Sequence, residues 1–180
     1  VMRTELVSVE LTTQLRSAAT IMVERRIHRV WARRSAAIIG VLTVHDLMRA
    51  VLEHHVEAPL WTVMSAPVLT VSLGEPVREA IDRLARSGVH GLVVVDGDAP
   101  VGLFTRTEAI EARWLPPALL TSPVERMMSY EMIALDQETP LRRAAGHACV
   151  LHVRRIVAVD GRRLSGVATG LDFARYVATH

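Results

Sequence analysis

The hydrophobic and polar positions of the chain follow one pattern three times. In the first copy Leu6 to Val9 is a short apolar run, and Leu15, Ala18, Ala19, Met22 and Val23 follow at helical spacing. Thr12-Thr13 offers an N-cap for that helix, and Arg25-Arg26 brings cations to its C-terminal end. Ile27 to Ala32 and Ala36 to Leu42 predict two strands, after which Thr43 opens a helix to about Leu52. The order is β-α-β-β-α.

The second copy repeats it. Val68 to Val71 reads as a strand, and Pro76 stands near the first helical turn, where its missing N–H is harmless. Val77, Ala80, Ile81 and Leu84 form an apolar stripe that Gly88 ends. Leu92 to Val95 and Val101 to Phe104 flank a turn at Asp96-Gly97, and Thr105 opens the last helix. In the third copy Met132 to Leu135 is the first strand, and Pro140, Leu141, Ala144, Ala145 and Ala148 mark the helix. Ile156 to Val159 and Leu164 to Ala168 are strands, and Thr169 opens the final helix.

The register between copies needs no insertion. An offset of 62 residues pairs Val9 with Val71, Ala18 with Ala80, Ile27 with Val89 and His28 with His90. An offset of 64 pairs Val71 with Leu135, Ala80 with Ala144, Val95 with Val159 and Asp96-Gly97 with Asp160-Gly161. The fold class expected is therefore α/β (α+β): three repeats at residues 1–55, 61–114 and 123–180, of which one alone would be marginal, so that they pack on each other. The connectors around Val56 to Trp61 and Leu115 to Pro123, rich in proline and tryptophan, are expected to pack rather than tether. The first copy begins inside its opening turn, which leads us to expect further sequence upstream.

Composition narrows the function. Half of the 180 residues are hydrophobic, but no apolar run reaches the roughly 20 residues of a membrane span. The net charge is only +2; the basic isoelectric point comes from arginine, with no lysine present, and is weak evidence for a nucleic-acid partner, so none is expected. The single Cys149 excludes an internal disulfide and fits a reducing, cytoplasmic setting.

The candidate chemistry lies where each copy's last strand becomes its last helix: Gly40-Val41-Leu42-Thr43-Val44-His45-Asp46, Gly102-Leu103-Phe104-Thr105-Arg106-Thr107-Glu108 and Gly166-Val167-Ala168-Thr169-Gly170-Leu171-Asp172. A helix N-terminus offers free N–H groups to phosphate. The Thr hydroxyl can add a hydrogen bond, and an ionised Asp can accept from two ribose hydroxyls together. The Gly lets another group approach the backbone. The same Thr-x-x-Asp/Glu is also a capping box that needs no ligand. Glu108 should cap as well as Asp46 or Asp172, while its extra methylene moves the carboxylate away from a diol. Eighteen residues before each acid stands a basic position: His28-Arg29, His90 and Arg154-Arg155. Protonated His or bidentate Arg could meet phosphate there, although a solvated strand edge explains them equally.

The β-α-β-β-α unit, the apolar-His-Arg-apolar start of the middle strand and the Gly-x-x-Thr-x-x-Asp ending together resemble CBS domains, the family named after cystathionine β-synthase. That resemblance implies repeats packed as pseudo-twofold pairs around a cleft that binds AMP, ADP, ATP or another adenosine derivative as a regulatory ligand, with no cofactor required. It implies that Thr43 with Asp46 and Thr169 with Asp172 contact phosphate and ribose, whereas Thr105 with Glu108 departs at the acid. His28, Arg29, His90, Arg154 and Arg155 fall at the phosphate-facing positions. The adenine would lie near Val7 to Val9, Leu69 to Val71 and Ile133 to Leu135. Three repeats in a fold that works in pairs imply a homo-oligomer such as a dimer: repeats 2 and 3 pair and leave repeat 1 to a partner, or repeats 1 and 2 pair and repeat 3 meets its copy in a dimer, or a fourth repeat lies upstream. Set against this non-catalytic sensor is a purely structural interaction module whose motifs are only caps.

Other residues are read as structure. His54-His55 point apart on a helix and lack companion ligands. Cys149 falls on the repeat's first helix as a near-core thiol, and the methionines occupy apolar positions. No phosphate loop, nucleophile elbow or dinucleotide fingerprint is present.

Overall fold

A computed structural model describes residues 6–180. The first copy comprises β1 (Ser8–Glu10), α1 (Leu15–Glu24), β2 (Arg29–Arg34), β3 (Ala37–Thr43) and α2 (Val44–Glu53). The second comprises β4 (Thr70–Ser72), α3 (Val77–Ser87), β5 (Gly91–Asp96), β6 (Ala99–Thr105) and α4 (Arg106–Glu111). The third comprises β7 (Ile133–Asp136), α5 (Leu141–Leu151), β8 (Arg155–Asp160), β9 (Arg163–Thr169) and α6 (Gly170–Thr179). Three small sheets result, ordered β1-β2-β3, β4-β5-β6 and β7-β8-β9. In each, the first two strands run parallel, as a β-α-β crossover requires. The hairpin strands of the first two sheets are antiparallel and carry a bulge at the same place, Ala32/Arg33 and Val94/Val95. This match of irregularities, as well as of strands, bears out the sequence register.

Helix α1 does not start as expected. Its N-cap is Gln14, which makes no side-chain capping bond. Thr13 instead donates its backbone N–H to the Glu10 carbonyl at 2.9 Å. Gln14 stands where Pro76 and Pro140 stand in the other copies, and all three are extended residues feeding the helix. The tight turn after β1 therefore fixes the start, and the threonines belong to that turn. At the other end, Gly88 takes the left-handed conformation expected of it (φ 71°), while its counterparts Arg26 and His152 adopt the same conformation without glycine.

The linkers pack. Leu60 is fully buried and donates its N–H to the Thr139 carbonyl at 2.9 Å, while the Leu141 N–H returns to Ala58 at 2.8 Å. Val77 N–H reaches the Ser122 carbonyl at 3.0 Å, and Val124 N–H reaches Glu75 at 2.8 Å. The tryptophans are not what anchors them: Trp61 is half exposed, and Trp114 is 87% exposed.

The chain condenses into two compact units. The first joins the residues up to Met64 with Glu138–Arg154 and Ala168–His180. Its core is Ala18, Ala19, Met22, Val30, Leu47 and Ala174. Helix α6 packs on α1 and α2, and α5 packs on α2. The second unit joins Ser65–Gln137 with Arg155–Val167. One of its cores, with Val71, Leu84, Leu92 and Phe104, fills the space between β4–β6 and α3. The other joins the second and third sheets through Val93, Leu103 and Val157, with Val68, Val95, Met132, Leu164 and Val167 packed around them. Burying those three central side chains contributes about 1.5–3 kcal/mol each. Two reciprocal crossings fasten the pair: Ser65 exchanges both backbone hydrogen bonds with Val167 (2.8 and 3.1 Å), and Ser129 does so with Leu103 (both 2.8 Å). Of the arrangements the sequence left open, the sheets of repeats 2 and 3 are the ones that pair.

Candidate functional site

All three Thr–acid pairs are formed, and they are formed as caps. Asp46 Oδ2 accepts from the Thr43 N–H at 2.8 Å and from its hydroxyl at 2.7 Å. Glu108 Oε2 accepts from the Thr105 N–H and hydroxyl, both at 2.6 Å. Asp172 Oδ2 accepts from Thr169 at 2.7 and 2.8 Å. As anticipated, Glu108 closes its box as well as the two aspartates do. In each copy the threonine proton and one carboxylate oxygen are thus engaged with each other.

What distinguishes the copies is the second oxygen. Asp172 is only 6% exposed, and Arg175 donates to its Oδ1 at 2.9 Å. Asp46 is half-buried, and its Oδ1 has no hydrogen-bond partner among the described residues. The repeat register does not foretell this asymmetry: Arg175 stands three residues after Asp172 as Arg49 stands after Asp46, and both arginines are exposed, yet among the described residues only Arg175 is bonded to its own motif's acid.

The basic positions sit at the same strand end as the motifs in the first two copies. The Val44 N–H, first in α2, donates to the His28 carbonyl at 3.0 Å, and Arg29 pairs with Thr43 across the hairpin. The Arg106 N–H likewise reaches the His90 carbonyl at 3.4 Å, with Gly91 beside Thr105. His28, Arg29, His90 and Arg154 are exposed, and Arg155 is half-buried. Arg154 falls in the first unit with Thr169 and Asp172, and Arg155 in the second.

The glycine of the motif admits a neighbour, but a protein one. A Cβ on Gly102 would come within 3.0 Å of the Ser129 carbonyl oxygen, the segment that crosses β6. A second close approach was not foreseen. Gly170, first in α6, lies against Val44, first in α2: a Cβ there would stand 2.5 Å from Val44 Cγ2. The motif helices of the first and third copies therefore meet at their starts. The only sequence signal was the glycine itself, where the other copies carry Val44 and Arg106.

The second unit holds a cleft of about 640 Å³ between Ala66, Val68 and Thr70 on one side and Leu164 and Ser165 on the other. Asp98 and Arg163, 3.9 Å apart and largely exposed, also line it. Thr70 belongs to the stretch expected near adenine, but His90, Thr105 and Glu108 are not in the lining. Val71 of that stretch is fully buried in the core, as a packing residue. Among the described residues no group of His, Cys, Asp and Glu could hold a metal ion, and no helix is long and apolar enough to cross a membrane.

Repeated three-stranded sheets with a Thr–acid capped helix after each last strand define tandem CBS repeats. Residues 1–53 and 60–114 match the family model of the CBS domain, and the chain belongs to that family. It is 32% identical over 117 residues to the A-adding tRNA nucleotidyltransferase of Geobacter sulfurreducens and 23% identical over 157 residues to the uncharacterized protein MJ1404 of Methanocaldococcus jannaschii. Those stretches are 65% and 78% of this chain but only 13% and 37% of the two proteins. Among solved structures, an uncharacterized conserved protein from Pyrococcus horikoshii superposes with a TM-score of 0.78 at 20% identity, over 98% of this chain and 80% of that one. CBSX2 in complex with AMP and the CBS domain pair of MJ0100 with 5′-methylthioadenosine and S-adenosylmethionine give 0.57 and 0.56, at 21% and 22% identity, each over 68% of this chain and 97% of theirs. Related CBS pairs thus carry adenosine ligands on this fold.

Proposed function

We propose that the chain is a non-catalytic regulatory module of three CBS repeats, at residues 1–55, 61–114 and 123–180, that binds an adenine nucleotide such as AMP, ADP or ATP. Binding would favour one packing of the repeats over another and so report to a partner in the cytoplasm, as a homo-oligomer. The observation that carries this reading is the first copy's strand end. A helix N-terminus, a short carboxylate with one unengaged oxygen at Asp46 and two basic residues, His28 and Arg29, share it. Those are the groups that a phosphate and a ribose diol need. Thr169 and Asp172, with Arg154 and Arg155, form a second candidate that opens only when Arg175 releases Asp172. Thr105, Glu108 and His90 serve chiefly as a cap.

A second reading, a structural interaction module without ligand, is favoured by the closed capping boxes, which satisfy Thr and acid in every copy. Isothermal titration with AMP, ATP and S-adenosylmethionine separates the two. Binding that Asp46→Asn weakens at least tenfold, a change of about 1.4 kcal/mol, supports the sensor. Absence of heat and of any thermal shift at millimolar ligand overturns it.

A further inference from the structure

We infer that the open face of the first sheet is a docking surface for a second copy of this chain, joined sheet to sheet about a twofold axis. The inference deepens the assembly part of the proposed function and does not depend on nucleotide binding.

Inside the second unit, equivalent faces of two copies already cover each other. The side chains that do so, Val68, Val93, Leu103, Met132, Val157, Leu164 and their neighbours, occupy five repeat positions. Carried back through the 64- and 62-residue offsets, those positions are Leu6, Trp31, Arg33, Ile38 and Val41. Four of the five are apolar, yet the described residues leave them open: Leu6 is 52%, Ile38 49% and Val41 45% exposed, whereas Val93, Leu103 and Val157 are at most 3% exposed. Trp31, half-exposed, replaces the central valines with the side chain that most often anchors an interface. Arg33, in the fifth position, is tied to Glu10 at 2.9 Å and gives the patch a charged rim.

The backbone tells the same story. Leu103 and Val167 each exchange two hydrogen bonds with a crossing segment, while their counterpart Val41 has no such crossing partner among the described residues. A Cβ on Gly102 would meet Ser129, but a Cβ on Gly40 would meet nothing within 4 Å. The occupant follows from how the covered faces pair. Sheets 2 and 3 join through surfaces that are sequence equivalents of one another, so the surface is complementary to its own kind. Self-complementarity of that sort is the requirement of an isologous twofold contact, and a second copy supplies it.

Sedimentation velocity of the 180-residue chain from about 1 to 100 µM tests this, since a twofold contact makes the dimer fraction concentration-dependent. We expect a dimer. Val41→Asp, at a position exposed in the single chain, should raise the dimer Kd more than about a hundredfold by burying two unpaired carboxylates, with a melting curve unchanged from that of the unsubstituted chain at concentrations where both are monomeric. Ile110→Asp, on an exposed apolar residue of the second unit, should leave the Kd within about threefold. A monomer throughout the range, a dimer that survives Val41→Asp, or one broken by Ile110→Asp instead would overturn the inference, and the last would move the interface elsewhere. None of these outcomes alters the titration with AMP that tests the nucleotide site.

Discussion

Gly170→Ala is the sharpest probe of how the first and third copies meet. The new methyl would lie 2.5 Å from Val44 Cγ2 and 2.9 Å from Val44 Cβ, where carbon atoms normally sit about 3.5–4.0 Å apart. Val44 is β-branched, so χ1 rotation relieves little, and its Cβ moves only with the backbone of α2. The helix starts must separate by about 1 Å, which costs about 1–3 kcal/mol as overpacking. Alanine's better helix propensity returns less than about 1 kcal/mol at the first helical position. The net expectation is a loss of about 2 kcal/mol. With a urea m-value near 2 kcal/mol/M, the unfolding midpoint followed by circular dichroism should fall by about 1 M at unchanged slope. Val44→Ala alone should cost under about 1.5 kcal/mol, because Val44 is only half-buried. The double variant should be at least about 1 kcal/mol more stable than the sum of the singles, since one methyl replaces another. Gly74→Ala, with nothing within 4 Å of its Cβ, is the control and should move the midpoint little. A neutral or stabilising Gly170→Ala, or additive single effects, would refute the packing of α6 on α2.

Asp172→Asn should cost more than Asp46→Asn in thermal unfolding, by about 1 kcal/mol, because Asp172 is buried and also holds Arg175. Glu75 is pushed upward by burial, but the Ser72 N–H and the Arg83 guanidinium, 2.8 Å away, outweigh this and hold its carboxyl below the ordinary 4.5. A carboxyl lowered by folding adds stability above its unfolded value and loses it as pH falls through the folded one. Glu75→Gln should therefore cost under about 1 kcal/mol at pH 7, both partners being partly exposed, and progressively less as the pH falls below 4.5 through the lowered folded value. Burial, with a smaller push from Asp46 against the pull of Arg49, holds the Cys149 thiol above its usual value, so labelling with a maleimide at pH 7.5 should be slower than that of a free cysteine and still rising at pH 9.

The legible part of the sequence was whatever recurs. Strand ends, the αL turn at Gly88 and the three caps follow from local rules that each copy obeys afresh, so one copy corrects another. The α1 start was misread because Thr12 and Thr13 look like caps in isolation, yet Gln14 occupies the position that proline fills elsewhere. What one copy does to another was not legible. That Ser129 sits over Gly102 and that Gly170 admits Val44 depend on tertiary contacts between residues with no shared local signal, and Arg175 bonds Asp172 within one helix turn where Arg49, at the same repeat position, makes no such bond to Asp46 among the described residues. The candidate residues were readable for the same reason as the fold, but their availability was not.

That distinction bears on how a ligand could act. Thr and acid are already bonded to each other in every copy, so a sugar phosphate cannot use both without breaking a cap worth about 1 kcal/mol. A nucleotide that uses only Asp46 Oδ1 and the basic strand end leaves the first cap intact and binds without that penalty. One that enters the third copy must also detach Arg175 from a buried carboxylate, at about 1.5–3 kcal/mol for a charged hydrogen bond. Asp172 lies on α6, which packs on both α1 and α2 in the same unit. Ligand there would therefore be coupled to the seating of the first copy's helices, while ligand at Asp46 would be held more tightly and coupled less. Affinity and response are thus expected to be divided between the two motifs: the open one determines occupancy at low nucleotide concentration, and the closed one is where occupancy can change packing.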